Sequence, residues 1–378
     1  MIPNEAFNNL ILIFFAIFYI GFIFYQQRQK IFPFSYDIFS KKPLKRLPFF
    51  DYAKGIAILA VFIIHTSYLL DFFNGRLPLY FLDLSQIINR FARFAIPIFL
   101  ISSGALLTLP NLDKKNLKIF YADKLKRLLI PYIVFSLPAI YLILKMPWNI
   151  SIQFLIVPFW FIPLLLQLYF LYPALWYVLT TKKIRPVLFL FFALLFSIGC
   201  YFFPTFLPDL QLSNLFLGPY LFFFVLGMIL RPMLFSGNKE WLEKIHFPFW
   251  SILAVIFYFS IGLIDAKAQY FNYQFIYGPV IFLLLFYSFK WFSKFSFARF
   301  IQKVGENSLY FYLIHFYILF SLVSLIGFFN LFYINPFFLF AVLTIFGFLT
   351  NYFLIFFIAQ FFIRHIHRFS NNQIKNGF

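Results

Sequence analysis

Cysteine occurs once in the 378 residues, as Cys200, so no internal disulfide can close. Charge is also scarce. Asp, Glu, Lys and Arg together make 11% of the chain, where soluble domains carry about a quarter. Acidic residues number only 12, and no polar stretch is long enough for a soluble domain. A chain this poor in charge cannot cover a water-facing surface, which excludes an ordinary soluble enzyme. There is no Walker loop, no Rossmann fingerprint and no dyad of carboxylates, and no feature points to an ATP-driven pump. No internal repeat or low-complexity tract interrupts the pattern. The first apolar run has no Lys or Arg before it, unlike a secretory signal, and is expected to be a retained span.

What the chain does have is apolar surface: 63% of residues are hydrophobic and 26% aromatic. A helical span needs about 20 mainly apolar residues, and runs near that length fall at 7–26, 52–70, 86–109, 128–145, 159–179, 187–203, 213–230, 247–264, 272–289, 307–327 and 337–362. Only helices or closed barrels satisfy backbone polar groups in lipid. The expected fold is therefore all-α, a polytopic membrane helical bundle of about eleven transmembrane helices. Residues 1–30 are expected to form an additional N-terminal span and 31–51, with Pro33, Pro43 and Pro48, a basic linker. A ten-helix membrane domain over 52–363 and a basic tail over 364–378 follow.

The net charge of +19 would point to nucleic acid in a soluble protein. Here it follows the loops. With the N-terminus outside, 26 of the 31 basic residues fall on the inner side, and only Arg76, Arg90, Arg93, Lys145 and Lys267 lie outside. That asymmetry is the positive-inside pattern. It predicts a multi-pass protein of the cell (inner or plasma) membrane, N-terminus out and C-terminus cytoplasmic, with membrane lipids and not nucleic acid as partners.

Ionisable residues inside such runs are costly and mark function. Lys54 and His65 are eleven residues apart. On a helix that is about three turns plus roughly 20°, so both lie on one face, separated by about 16 Å along the axis. Lys54 is expected at the cytoplasmic edge and His65 in the outer half, where its near-neutral pKa suits a general base. Ser67, Ser102 and Ser103 are nucleophile candidates by proximity in sequence alone, and serines in membrane helices usually serve packing. Lys124, Lys126 and Arg127 form a cationic cluster on the inner side. Arg90 and Arg93 stand three apart at an outer helix end, placed to hold an anionic acceptor or a developing oxyanion. His315, inside a late span, is a candidate hydrogen-bond donor to substrate. His365 and His367 lack a Cys or acidic companion, so no metal is expected.

These residues sit in stretches that resemble the membrane acyltransferase-3 family. "FDYAKGIAILAVFIIH" (50–65) is similar to the family's motif of a basic residue, ten intervening residues and a histidine, with Lys54 where Arg is more usual. The lysine keeps the charge and loses the bidentate fork. "RFARFAIPIFLISSGALLT" (90–108) resembles the second core helix. "FYADKLKRLLIPY" (120–132) resembles the segment of two basic residues before a proline. "FWFIPLLLQLYFLYPALW" (159–176) and "VGENSLYFYLIHFYIL" (304–319) resemble later motifs, in the family's order.

The resemblance implies transfer of an acyl group, usually acetyl, from cytoplasmic acyl-CoA to a hydroxyl of a cell-surface glycan or its lipid-linked precursor. His65 would be the catalytic base. Lys54, Lys124, Lys126 and Arg127 would hold the polyanionic acyl-CoA, and Arg90, Arg93 and His315 the acceptor. The competing expectation is a transporter or flippase that moves such a glycan without group transfer.

Overall fold

A computed structural model describes residues 47–71, 79–109, 112–143, 159–182, 184–202, 216–235, 274–331 and 334–375. Among the described residues every regular element is helical: α1 (Pro48–Asp71), α2 (Leu79–Ala92), α3 (Ala95–Leu106), α4 (Lys114–Ile143), α5 (Phe161–Thr180), α6 (Pro186–Phe202), α7 (Leu221–Phe235), α8 (Gln274–Phe292), α9 (Ser296–Glu306), α10 (Ser308–Phe328) and α11 (Pro336–Lys375). The expected spans at 7–26 and 247–264 lie outside the described residues.

Among the described residues, five segments are long and apolar enough to cross a membrane: Pro48–Leu70, Ser85–Leu106, Phe161–Thr180, Ser308–Phe328 and Pro336–Phe357. Pro186–Cys200, Gly218–Pro232 and Tyr277–Phe292 are shorter apolar helices. The number of helices is thus not the number of spans: α2 and α3 share one segment, and α9 is short, with basic residues Arg299 and Lys303.

Several boundaries differ from expectation: α4 begins at Lys114, well before the apolar run at 128–145, and α11 continues to Lys375, past the run that ends at 362. Helix α1 starts at Pro48, inside the expected linker. Proline's fixed φ suits the first turn of a helix, and Asp51 in that turn complements the helix dipole. The apolar run 86–109 is broken by a turn at Arg93 and Phe94. Pro97 has no N–H to give to the Arg93 carbonyl, so the helical ladder cannot run through. The chain tightens with Arg93 N–H donating to Arg90 O at 3.2 Å, and α3 restarts with Ile98 N–H on Phe94 O.

Glycines set the two closest helix crossings. Gly55 of α1 lies against the Ile301 carbonyl of α9, and Gly305 of α9 lies against the Asp51 carbonyl of α1. Likewise Gly104 of α3 meets the Phe224 carbonyl of α7, and Gly227 of α7 meets the Ile101 carbonyl of α3. Each crossing is reciprocal and would not admit a Cβ on either side without moving backbone. Small residues allow such approach where lipid supplies no hydrophobic drive between helices.

Polar ties then fix rotation. Ser67 Oγ donates to Ser85 O and Asn89 Nδ2 to Ile64 O, each at 3.0 Å, locking α2 onto α1. On α10, the Tyr312 hydroxyl accepts the Phe161 N–H at 3.3 Å, Tyr317 donates to Phe135 O at 2.6 Å, and Asn351 of α11 donates to Phe311 O at 3.2 Å. Each bond also satisfies a group that lipid would leave unpaired. Ser67 is therefore occupied in packing.

Candidate active site

His65 and His315 are 250 residues apart in sequence and in contact in space. His315 Nε2 lies 3.2 Å from His65 Nδ1. The ring centroids are 4.6 Å apart with planes at 68°. His65 Nδ1 also lies 2.9 Å from Val61 O, one turn back on its own helix. His315 Nδ1 contacts Tyr312 O. His315 is 0% exposed, whereas His65 is half-buried. The accessible part of the pair is thus His65, and His315 closes its inner side. Phe62 and Phe316 flank the two rings.

Next to His65 on α1, the Ile64 carbonyl takes the amide of Asn89. Asn89 Oδ1 in turn accepts from Arg93 Nε at 3.3 Å. The pair is i,i+4, so one face of α2 presents both side chains. Asn89 is a site residue that sequence reading missed; its signal was the four-residue spacing from Arg93. Arg93 is exposed and Arg90, in the last turn of α2, is half-buried. Both stand beside the His65 end of α1.

Lys54 is at the other end of α1. It forms an ion pair with Asp51 at 2.9 Å, with side-chain exposures of 20% and 5%. Its charge is therefore already matched by a carboxylate. From here a line of contacts crosses this end of the bundle. Phe50 stacks on Phe235 with centroids 6.0 Å apart, and the Arg231 guanidinium lies 5.5 Å from the Phe235 ring. Arg231 Nη1 donates to Ala105 O and Leu107 O, both at 2.8 Å. Tyr172 donates to the same Leu107 carbonyl at 2.9 Å and stacks on Phe120. Lys124 Nζ lies 5.8 Å over that Phe120 ring. Lys54 and Lys124 thus share one end of the bundle.

Lys124 and Arg127 both hold Asp123, at 3.1 and 2.7 Å. Partial burial works to raise the Asp123 pKa. The hydrogen bond and charge of Lys124, with the charge of Arg127, outweigh it and hold the carboxyl below its ordinary value. Lys126 is exposed. One carboxylate against three cations leaves a net positive patch. Lys126 and Arg127 are exposed, and Lys124 is half-buried against the Phe120 ring.

Arg231 reads in the sequence as a loop cation, yet it is 1% exposed. It caps the C-terminal carbonyls of α3, where the helix dipole is negative. No carboxylate pairs with it among the described residues. Arg231→Met keeps the bulk and removes the donors to two carbonyls. We expect a loss of roughly 2–3 kcal/mol, read as a lower denaturation midpoint. An unchanged midpoint would refute the capping role.

The sequence profile of the acyltransferase-3 family, described as an acyltransferase domain, matches residues 47–367. The chain belongs to the membrane acyltransferase-3 family. The match takes in all of α1 to α10 and most of α11. Neither a curated protein nor a solved structure matches the chain. Family membership establishes a membrane acyltransferase with multiple apolar helices.

Proposed function

We propose that this acyltransferase moves an acyl group, with acetyl the expected one, from cytoplasmic acyl-CoA to a hydroxyl of a cell-surface glycan or lipid-linked precursor. The observation that carries the reading is the half-buried His65 backed by the sealed His315 within the bundle. His65 accepts the hydroxyl proton as the oxygen attacks the thioester carbonyl. The C–O bond forms, the C–S bond breaks, and the proton passes from His65 to the departing thiolate. The products are an ester and the free thiol of coenzyme A, and the histidine returns to its starting state.

The proposed topology has eleven spans, N-terminus outside and C-terminus cytoplasmic, in the cell membrane. Two ends of α1 support a two-sided path. At one end, Phe50, one turn before Lys54, leads through Phe235 to Arg231, and Tyr172 and Phe120 lead from Leu107 to Lys124. Asn89 and Arg93 stand near His65 toward the other. In this reading Lys124, Lys126 and Arg127 bind the phosphates of acyl-CoA, Lys54 lends weaker support through its shared charge, and Arg90 and Arg93 receive the acceptor. No metal takes part.

Reconstituted protein given acetyl-CoA and a polysaccharide acceptor should release one free thiol per ester formed. Charge reversal at Lys124 and Arg127 should raise the donor KM about tenfold or more, from the loss of charge-assisted bonds. Arg90→Gln with Arg93→Gln should act on the acceptor KM by a similar factor. Equal donor effects from both pairs would defeat the two-sided path, and thiol release without ester would defeat transfer to a glycan.

A further inference from the structure

The two imidazoles carry more information than their proximity. Two proton arrangements fit the ring-to-ring contact alone. In one, His315 Nε2 carries hydrogen and donates to His65 Nδ1. In the other, His65 Nδ1 carries it and donates to His315 Nε2. The backbone decides between them. A carbonyl oxygen only accepts. His315 Nδ1 faces Tyr312 O, so its hydrogen belongs on Nδ1, and Nε2 is left as a lone pair. His65 Nδ1 faces Val61 O at 2.9 Å and that lone pair at 3.2 Å. Both neighbours are acceptors, so Nδ1 of His65 must carry hydrogen. The opposite arrangement would set two nitrogen lone pairs against two carbonyl oxygens beside the sealed His315 ring.

The geometry points to His315 as a positioning residue that, with Val61 O, holds His65 in the Nδ1–H tautomer and leaves Nε2 of His65 as the basic nitrogen. Which ring nitrogen is free is set by what the other one bonds. The inference rests on the proposed transfer reaction for its purpose, but the proton arrangement stands without it. In the forward step Nε2 of His65 takes the hydroxyl proton, and the imidazolium keeps its Nδ1–H on two acceptors. His315 neither gains nor loses a proton through the cycle. It is sealed at 0% exposure, with both nitrogens engaged. It therefore touches His65 and not the acceptor, unlike the substrate contact expected from sequence.

Three elements hold this arrangement. Tyr312 is fixed by the Phe161 N–H, Phe311 by Asn351, and the neighbouring turn of α1 by Asn89 on Ile64 O. None of them brings a carboxylate to the pair.

The test has two arms. With ¹⁵N-histidine in the full chain, the five histidines are few enough to assign, using His65→Gln and His315→Gln. Both His65 and His315 should show a protonated Nδ1 and an unprotonated Nε2 at neutral pH, the reverse of the preference of free imidazole side chains. A protonated Nε2 on neutral His65 would overturn the inference. The second arm is kinetic. His315→Gln keeps an acceptor oxygen toward His65 and should stay within about fivefold of the parent, whereas His315→Met should lower kcat about 10²-fold with both KM values within about threefold. A His315→Met variant that raises only the acceptor KM would instead make His315 a substrate contact. Should His315→Met fail to fold, the spectroscopic arm on the unaltered chain decides. If the tautomers are as stated and no transfer from acyl-CoA occurs, the reaction assignment fails and the proton arrangement survives.

Discussion

His65→Gln is expected to lower kcat for acyl transfer about 10³-fold, within the usual range for loss of a general base. That is about 4 kcal/mol of transition-state stabilisation. Glutamine can still bond Val61 O and His315 Nε2, so the fold should change little; the denaturation midpoint should stay close to the parent. The separation of activity from stability is the useful part of the result. Loss of transfer with an intact midpoint assigns the chemistry to the imidazole. A variant that folds and transfers at the parent rate removes His65 from the reaction and with it the proposed mechanism. Lys54 offers the contrast on the same helix face. Because Asp51 already matches its charge, Lys54→Gln should shift the donor KM by only a few fold, with kcat nearly unchanged.

A large expected stability effect lies away from the histidines, at Gly227. Its added Cβ would collide with the Ile101 carbonyl, and the partner Gly104 makes the mirror contact with the Phe224 carbonyl. The obstacle is backbone on both sides, so no side-chain rotation can make room. Gly227→Val should force α3 and α7 apart and cost on the order of 4 kcal/mol or more, in the exceptional class for point changes. Domains are stable by only about 5–15 kcal/mol, so the variant should appear as aggregated or poorly folded protein in detergent. Gly199 supplies the control. Nothing stands within 4 Å of its added Cβ, and Gly199→Ala should be neutral or stabilising by up to about 1 kcal/mol. Equal behaviour of the two variants would show that the α3–α7 crossing is not set by these glycines. The same loss should move α3 relative to Arg231 and so disturb the end of the bundle that carries Lys124.

Some of this was open to sequence reading because it depends on short spacing. Apolar length marks the helices, and the eleven-residue step from Lys54 to His65 puts them on one stripe; Pro48 and Pro97 instead open one helix and break another, against the linker and the unbroken run expected there. The basic residues at Lys124 to Arg127 mark the start of an apolar run, and the structure carries helix α4 straight through them. The ion pair of Lys54 with Asp51, three residues apart, is also within reach of helix geometry. Asn307 is a position that local spacing leaves undecided. It stands where a helix N-cap is expected, but its amide turns back to donate to Lys303 O of α9. Local rules permit either bond, and Asn307 is the single residue between α9 and α10.

By itself the sequence determined a membrane-embedded helical chain of the acyltransferase-3 family and singled out His65, because composition, span length and motif order are properties of neighbours along the chain. Only the tertiary structure decided that His315 stands behind His65, that Arg231 is buried under α3, and that glycines set the crossings. Contacts between helices distant along the chain are created by packing rotation and depth, and no periodicity within one helix encodes which turn of another it will meet.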